Sequence, residues 1–315
     1  MEKVRVPHKG RKVTDLTVTL AGLRLPNPIL PGSGPPGANL RKLQALEEAG
    51  AGALLTKTIS SKPAEVPKPC MAFDGDLFFN VEKWSDIAPS VWATEILPAL
   101  KVRKVPLLAS VGYTPDDLQQ LVPLFDSHVD GFELSTHYGV TRDEQFAELV
   151  STAKRLTAKP VFMKLSLHGG DITANARACE RSGADGIAAI NSVGPVVSID
   201  IEKRAARLGV DNPYMWLSGP AIKPLAMRAV YDIAQAVRIP VIACGGVTRG
   251  ADVIEFMLAG ATAVQCCTAL IRRGPEWIVQ ALDEIRQWCR EQKVSDLRQI
   301  IGTVTPYYVS SRKIK

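Results

Sequence analysis

Short apolar runs alternate with amphipathic stretches along nearly the whole chain. Eight runs have the length and flanks of strands: Ile29–Pro31, Ala53–Thr58, Leu107–Val111, Gly131–Ser135, Val161–Leu165, Gly186–Ile190, Val241–Cys244 and Ala263–Cys266. From the second onward they are apolar on both faces, which suits strands of a parallel sheet covered by helices. Helical periodicity lies between most of them, over Leu40–Ala49, Phe146–Leu156, Asn175–Ser182 and Leu225–Val237, then over Val253–Ala259 and Glu276–Gln292. Three phrases place a glycine where a helix ends and the next strand begins: Ala49-Gly50-Ala51-Gly52-Ala53, Ser182-Gly183-Ala184-Asp185-Gly186 and Ala259-Gly260-Ala261-Thr262-Ala263. Glycine is the usual helix-terminating residue there. Repeated β-then-α order implies right-handed crossovers and a parallel sheet.

The expected fold class is therefore α/β, a (β/α)8 TIM barrel in one domain over residues 1–315. Leu16–Leu20 and Leu23–Leu25 alternate around Ala21-Gly22 and predict an N-terminal β-hairpin that plugs the bottom of the barrel. Residues 1–15 form a basic leader and 303–315 a C-terminal tail. The stretch Ser61–Trp92 is longer than a usual βα loop and rich in proline and aromatics, so it is expected to cover an active site. An open, doubly wound sheet is the alternative; against it, no GxGxxG follows the first strand.

Composition narrows the classes of function. The excess of 38 basic over 32 acidic residues sits partly in the two tails and forms no dense basic stripe with interleaved aromatics. Solvated surface is the expectation, and no nucleic-acid partner. The six cysteines form no CxxC pair and no metal-ligand spacing with the four histidines, so buried thiols in a reducing compartment are expected, and no metal. No signal-peptide core and no run of about 18 apolar residues is present. The expectation is a cytoplasmic protein with no membrane partner.

The strongest local signal is Ile239-Pro240-Val241-Ile242-Ala243-Cys244-Gly245-Gly246-Val247, followed by Val264-Gln265-Cys266-Cys267-Thr268-Ala269. A strand ending in Gly-Gly lets backbone amides approach an anion, and the loops after strands 7 and 8 of such barrels commonly bind phosphate. Two strands end in lysine after an apolar run, at Lys57-Thr58 and at Lys164. A lysine at a strand's carboxyl end points to the barrel mouth, where it can stabilise negative charge on the N1/O2 edge of a reduced flavin. A lysine extending along a strand end to reach water is the plainer alternative.

These phrases together resemble the dihydroorotate dehydrogenase superfamily, including the pyrimidine-binding part of dihydropyrimidine dehydrogenase. The resemblance runs from about Leu16 to Gly302. It rests on Asn27-Pro28-Ile29 with Gly32-Ser33-Gly34, on Thr56-Lys57-Thr58, Phe132-Glu133-Leu134, Met163-Lys164-Leu165-Ser166 and Ile190-Asn191-Ser192, and most specifically on Leu217-Ser218-Gly219-Pro220-Ala221-Ile222-Lys223-Pro224. It implies FMN as cofactor. Gly32, Ser33, Lys57, Thr58, Ser135, Lys164 and Asn191 would line the flavin. Gly219, Gly245, Gly246, Cys267 and Thr268 would hold its phosphate.

The chain departs from the family in the loop after the fourth strand, Glu133-Leu134-Ser135-Thr136-His137-Tyr138-Gly139-Val140. Ser135 stands where the family has asparagine, Tyr138 where it has the catalytic Cys or Ser, and Val140 replaces another ring-contacting asparagine. Asn80, Asn191 and Ser192 remain as candidate substrate contacts. Each lost buried partner costs about 1–3 kcal/mol, which argues against dihydroorotate as substrate. The expected activity is an FMN-dependent oxidoreductase acting on a CH–CH group beside a carbonyl, in a small unsaturated or dihydro-ring substrate. Tyr138 or His137 would move the proton, and Lys164 would support the flavin. With no iron–sulfur or nicotinamide motif, electrons would come through a partner protein or subunit; a homo-oligomer is expected. Two other readings stand beside it: an electron-relay or scaffold subunit of a flavin/iron–sulfur complex, and a non-redox lyase or isomerase with a phosphorylated substrate. His168 is expected to be structural, and the aromatics Phe73, Phe78, Phe79, Trp84 and Trp92 to pack the cover; Lys62 and Lys83 are expected at its surface.

Overall fold

The computed structural model describes residues 14–136, 142–209 and 211–304. Eight parallel strands form its centre: β1 (Ile29–Pro31), β2 (Leu54–Leu55), β3 (Leu107–Val111), β4 (Gly131–Leu134), β5 (Val161–Leu165), β6 (Gly186–Ala189), β7 (Val241–Cys244) and β8 (Ala263–Cys266). Their order is β1-β8-β7-β6-β5-β4-β3-β2, each strand beside its sequence neighbour. The amide of Gly52 donates to the carbonyl of Ile29 at 2.7 Å, bridging the remaining gap between β1 and β2. This is the expected (β/α)8 barrel.

β2 is shorter than the apolar run Ala53–Thr58 predicts. The amides of Lys57 and Thr58 leave the ladder and donate to Gly37 O and Ser33 O, at 2.8 and 3.2 Å. The strand end is thereby tied to the loop after β1, and both segments reach the barrel mouth.

The helices are α1 (Leu40–Glu48), α2 (Pro115–Phe125), α3 (Asp143–Leu156), α4 (Ile172–Arg181), α5 (Lys223–Ala236), α6 (Gly250–Leu258), α7 (Thr268–Arg273) and α8 (Glu276–Glu291), with a further helical segment over 89–99 between β2 and β3. The three helix-to-strand glycines, Gly50, Gly183 and Gly260, have φ of +89°, +93° and +117°, the conformation that suits glycine and ends a helix. Leu16, Val18, Leu20 and Leu25 of the N-terminal hairpin join the main core, while Thr19 and Arg24 face out. The hairpin leads into the amino end of β1.

The cover is built from more of the chain than Ser61–Trp92. Strands Met71–Asp74 and Leu77–Asn80 form half of a four-stranded antiparallel sheet; Met215–Ser218 and Val193–Val196 form the rest. The second half escapes a pattern reading because Val193-Gly194-Pro195-Val196 is interrupted by Gly-Pro and shows no alternation. A small core of Phe79, Leu208 and Met215 joins the two halves. Trp92, expected in the cover, instead belongs to the main core, fully buried, with Nε1 donating to Ser85 Oγ at 3.0 Å.

Asp117 anchors the entry to the cover. Its carboxylate accepts from Ser60 Oγ at 3.1 Å, Ser61 N at 3.0 Å, Tyr113 N at 2.7 Å, Thr114 N at 3.1 Å and Thr114 Oγ1 at 2.9 Å. Burial pushes its pKa up, but the bonds from Ser61, Tyr113 and Thr114 outweigh it and hold the pKa at about 2. A depressed folded pKa stabilises the fold above the unfolded value, near about 3.9 for aspartate, and that contribution is lost as pH falls through the folded value. The thermal midpoint of the wild type should therefore fall with pH through this window. Asp117→Asn should lower it at neutral pH and flatten the acid slope. Parallel slopes for both proteins in melting curves would refute the assignment.

Candidate active site

A cavity of about 730 Å³ opens at the carboxyl ends of the barrel strands and beneath the cover sheet. At one end the loops after β7 and β8 meet the start of α5. Gly245 and Gly246 have φ of +126° and +76°. A Cβ on Gly246 would lie 2.4 Å from Lys223 Cβ and 2.7 Å from Lys223 N, so the bare backbone is what lets the loop lie against α5. A Cβ on Gly34, in the loop after β1, would meet Cys267 Sγ at 2.9 Å. Gly219, Gly245, Gly246, Cys267 and Thr268 all line this end. Such a glycine-rich cradle suits a phosphate approached by backbone amides.

Asp252 holds the cradle in place. It is buried, and its carboxylate accepts from Lys223 Nζ at 2.6 Å, Thr248 N at 2.7 Å, Thr248 Oγ1 at 2.7 Å and Arg249 N at 3.2 Å. Burial raises its pKa, but Lys223 and Thr248 prevail and lower it. A charged carboxylate thus joins the Gly-Gly loop to the first residue of α5.

Four barrel strands furnish a polar floor. Lys164 Nζ from β5 donates to Gln265 Oε1 of β8 at 2.6 Å and lies 3.6 Å from Cys244 Sγ of β7 and 3.8 Å from Glu133 Oε1 of β4. Gln265 Nε2 donates to Glu133 Oε2. Glu133 is fully buried and its Oε1 has no hydrogen-bond partner. Burial alone would depress the Lys164 pKa; its polar surroundings, Cys244 and Glu133 first among them, outweigh it and raise it, so the ammonium stays charged. Burial raises the Cys244 thiol, and the carboxylate beside the ammonium is that of Glu133, at 3.8 Å.

Gly32, Ser33, Thr58, Ser135, Lys164, Asn191, Asn80 and Ser192 line the same cavity, together with the cradle residues. Lys57 does not: its Nζ is paired with Glu82, and Glu82 is on the wall. The amide of Asn80 bridges Trp216 O and Glu82 N, both at 3.4 Å. Asn191 Oδ1 accepts from Ser192 N at 2.9 Å. Ser135 and Thr136 are buried wall residues. His137, Tyr138 and Val140 lie outside the described residues. His168 lines the exposed rim, edge-on to Trp216 with ring centroids 6.3 Å apart. Among the cover aromatics, Phe78 and Trp84 face the cavity, while Phe73 is 42% exposed and stacks on Phe78. Lys83 is an exposed wall residue, and Lys62 offers its carbonyl to Trp84 Nε1 at 2.7 Å.

Glu82, Glu133, Gln265, Tyr113 and Trp216 were not singled out as site residues by the sequence. Glu133 and Gln265 had a readable signal: each is a lone polar residue inside an apolar strand run. Glu82, Tyr113 and Trp216 had none, because only the tertiary fold brings their segments to the mouth. Among the described residues no group of three or more His, Cys, Asp or Glu is arranged to hold a metal, and no helix is long and apolar enough to cross a membrane.

The family model for dihydroorotate dehydrogenase matches residues 15–288. Similar proteins include the catalytic subunits of dihydroorotate dehydrogenase B (NAD(+)) from three organisms. That of Pyrococcus horikoshii is 34% identical over 299 residues, 91% of this chain and 97% of the relative. That of Trichlorobacter lovleyi is 32% identical over 302 residues, with 92% and 98% covered. That of Desulforudis audaxviator is 34% identical over 299 residues, with 90% and 96% covered.

Proposed function

The chain belongs to the dihydroorotate dehydrogenase family, and from that premise we propose that it is an FMN-dependent oxidoreductase acting on a CH–CH group beside a carbonyl. The observation that carries this reading is the union, in one cavity, of a glycine-rich cradle and a buried lysine 3.8 Å from the buried Glu133 carboxylate. The cradle residues Gly219, Gly245, Gly246, Cys267 and Thr268 would take the cofactor's phosphate. Gly32, Ser33, Thr58, Ser135, Lys164 and Asn191 would line its ring and chain, with Lys57 close behind Glu82. Bound FMN supplies hydride exchange with a substrate carbon. Tyr138 or His137 moves the proton at the adjacent carbon, and Asn80, Asn191 and Ser192 orient the ring.

The substrate in this reading is a small unsaturated or dihydro ring other than dihydroorotate. Ser135 at the family's asparagine, Tyr138 at its catalytic Cys or Ser and Val140 at a further asparagine support that. Reducing equivalents pass through a separate electron-transfer partner, since the chain carries no motif for a second redox centre. In the test, protein exposed to FMN should retain a flavin spectrum, and photoreduced protein should be reoxidised by an unsaturated cyclic carbonyl compound. Protein that stays colourless overturns the reading and favours a phosphorylated substrate for a lyase or isomerase.

The floor gives a second measurable consequence. A positive charge in a low-dielectric site stabilises the anionic reduced flavin. Lys164→Ala should lower the midpoint potential by about 30 mV or more, equivalent to about 1.4 kcal/mol for two electrons. Glu133→Gln removes the opposing charge and should shift it the other way. Unchanged potentials in both variants would leave Lys164 as a strand-end lysine with no electrostatic role.

A further inference from the structure

The cavity wall carries a carboxylate that the flavin chemistry does not use. Glu82 follows the cover strand Leu77–Asn80, and both of its oxygens are engaged. Oε1 is paired with Lys57 Nζ, and Oε2 accepts from Cys70 Sγ at 3.0 Å. The Lys57 and Glu82 side chains are only 6% and 15% exposed. Burial, reinforced by Glu82, pushes the Cys70 thiol up to about 11, so it remains a protonated donor.

This arrangement alters the charge that an entering substrate meets. The charge of Lys57 is matched by Glu82, and that of Lys164 by Glu133 at 3.8 Å. At the rim, exposed Lys83 is accompanied on the wall by exposed Asp211. Among the described residues, then, the cavity lining carries two lysines, Lys83 and Lys164, and two carboxylates, Glu82 and Asp211, with Lys57 and Glu133 behind them as partners of Glu82 and Lys164, and no arginine lines it. A substrate carboxylate would leave water for a site where the inner cations already have partners, and it would face Glu82. Like charges brought together in a poorly solvated site disfavour binding strongly.

We propose that Glu82 is a specificity-determining residue that rejects carboxylate-bearing rings, so that the substrate of this cavity is an uncharged ring. The proposal rests on the flavin reading for the chemistry, but the charge argument stands on the cavity itself. Glu82→Gln keeps the shape of the side chain, removes its charge and releases Lys57 to pair with an incoming anion.

The probes are uracil and its 6-carboxylate, one ring with and without the charge. FMN-loaded protein is titrated with each, following the perturbation of the flavin spectrum. Wild type should bind uracil more tightly by about tenfold or more, the scale expected of a site built against a charge. Glu82→Gln should shrink that ratio by about tenfold, through tighter binding of the carboxylate. Lys57→Met in the Glu82→Gln background should cancel the gain, and Glu82→Asp should keep the wild-type preference. Should the protein take up no FMN, the flavin reading alone falls, and the same ratio is measured by calorimetry on FMN-free protein. Equal or tighter binding of the carboxylate by wild type, an unchanged ratio in Glu82→Gln, or no binding of either ring overturns the proposal.

Discussion

Replacing Gly246 by aspartate should give a folded barrel that takes up no flavin. The space a side chain would need at this position is already occupied. A Cβ on Gly246 would come within 2.6 Å of Lys223 Cα as well as 2.4 Å of its Cβ, and the backbone φ of +76° disfavours any side chain. Steric displacement of the loop and repulsion of a dianion therefore act together in Gly246→Asp. Gly246→Ala isolates the first effect. The left-handed conformation alone costs a non-glycine residue about 1–2 kcal/mol, so alanine should weaken FMN binding by about tenfold or more. Aspartate should abolish it. Fluorescence titration with FMN separates the two, and melting curves show whether the barrel survives. Full occupancy in Gly246→Asp would refute the placement of the phosphate.

All eight barrel strands were legible because each is a short run buried on both faces, and three of them directly follow a helix-ending glycine. Five were readable to the residue: Ile29–Pro31, Leu107–Val111, Val161–Leu165, Val241–Cys244 and Ala263–Cys266. β2 was overestimated for a physical reason: the backbone at Lys57 and Thr58 bonds to the loop after β1 instead of its strand neighbour. The cover sheet was half legible. The strands Met71–Asp74 and Leu77–Asn80 lie in the long segment that proline and aromatics marked out. Their partners at 193–196 and 215–218 are held by pairing across the cover, which no local pattern encodes.

The site divides along the same line. Residues read from strand ends and glycine loops, Lys57 excepted, converge on one cavity, because barrel topology brings every strand's carboxyl end to one mouth. What local sequence does not reveal is which charges neutralise which. Lys57 and Lys164 look equivalent as strand-end lysines. In the fold one is paired with Glu82 from the cover and the other with Glu133 from the adjoining β4 and Gln265 from β8 across the barrel. Their partners are separated from them by 25 to 101 residues, so charge balance is a property of the assembled barrel.

Tyr138→Phe should leave flavin binding and photoreduction intact while slowing reoxidation by substrate by about 10²–10⁴, the range for a positioned acid or base. Hydride addition to an activated double bond places negative charge on the substrate, and a proton at the adjacent carbon must quench it. In the proposed reading Tyr138 takes the place of the family's Cys or Ser, two residues beyond the buried wall residue Thr136. Phenylalanine deletes the hydroxyl and little else. His137→Asn tests the neighbour: if histidine only tunes the tyrosine, its loss should slow the reaction less than Tyr138→Phe. The reverse order would assign proton transfer to His137. Near wild-type rates in both variants would leave the divergent loop as a determinant of ring selection, with the proton arriving from solvent or another wall residue.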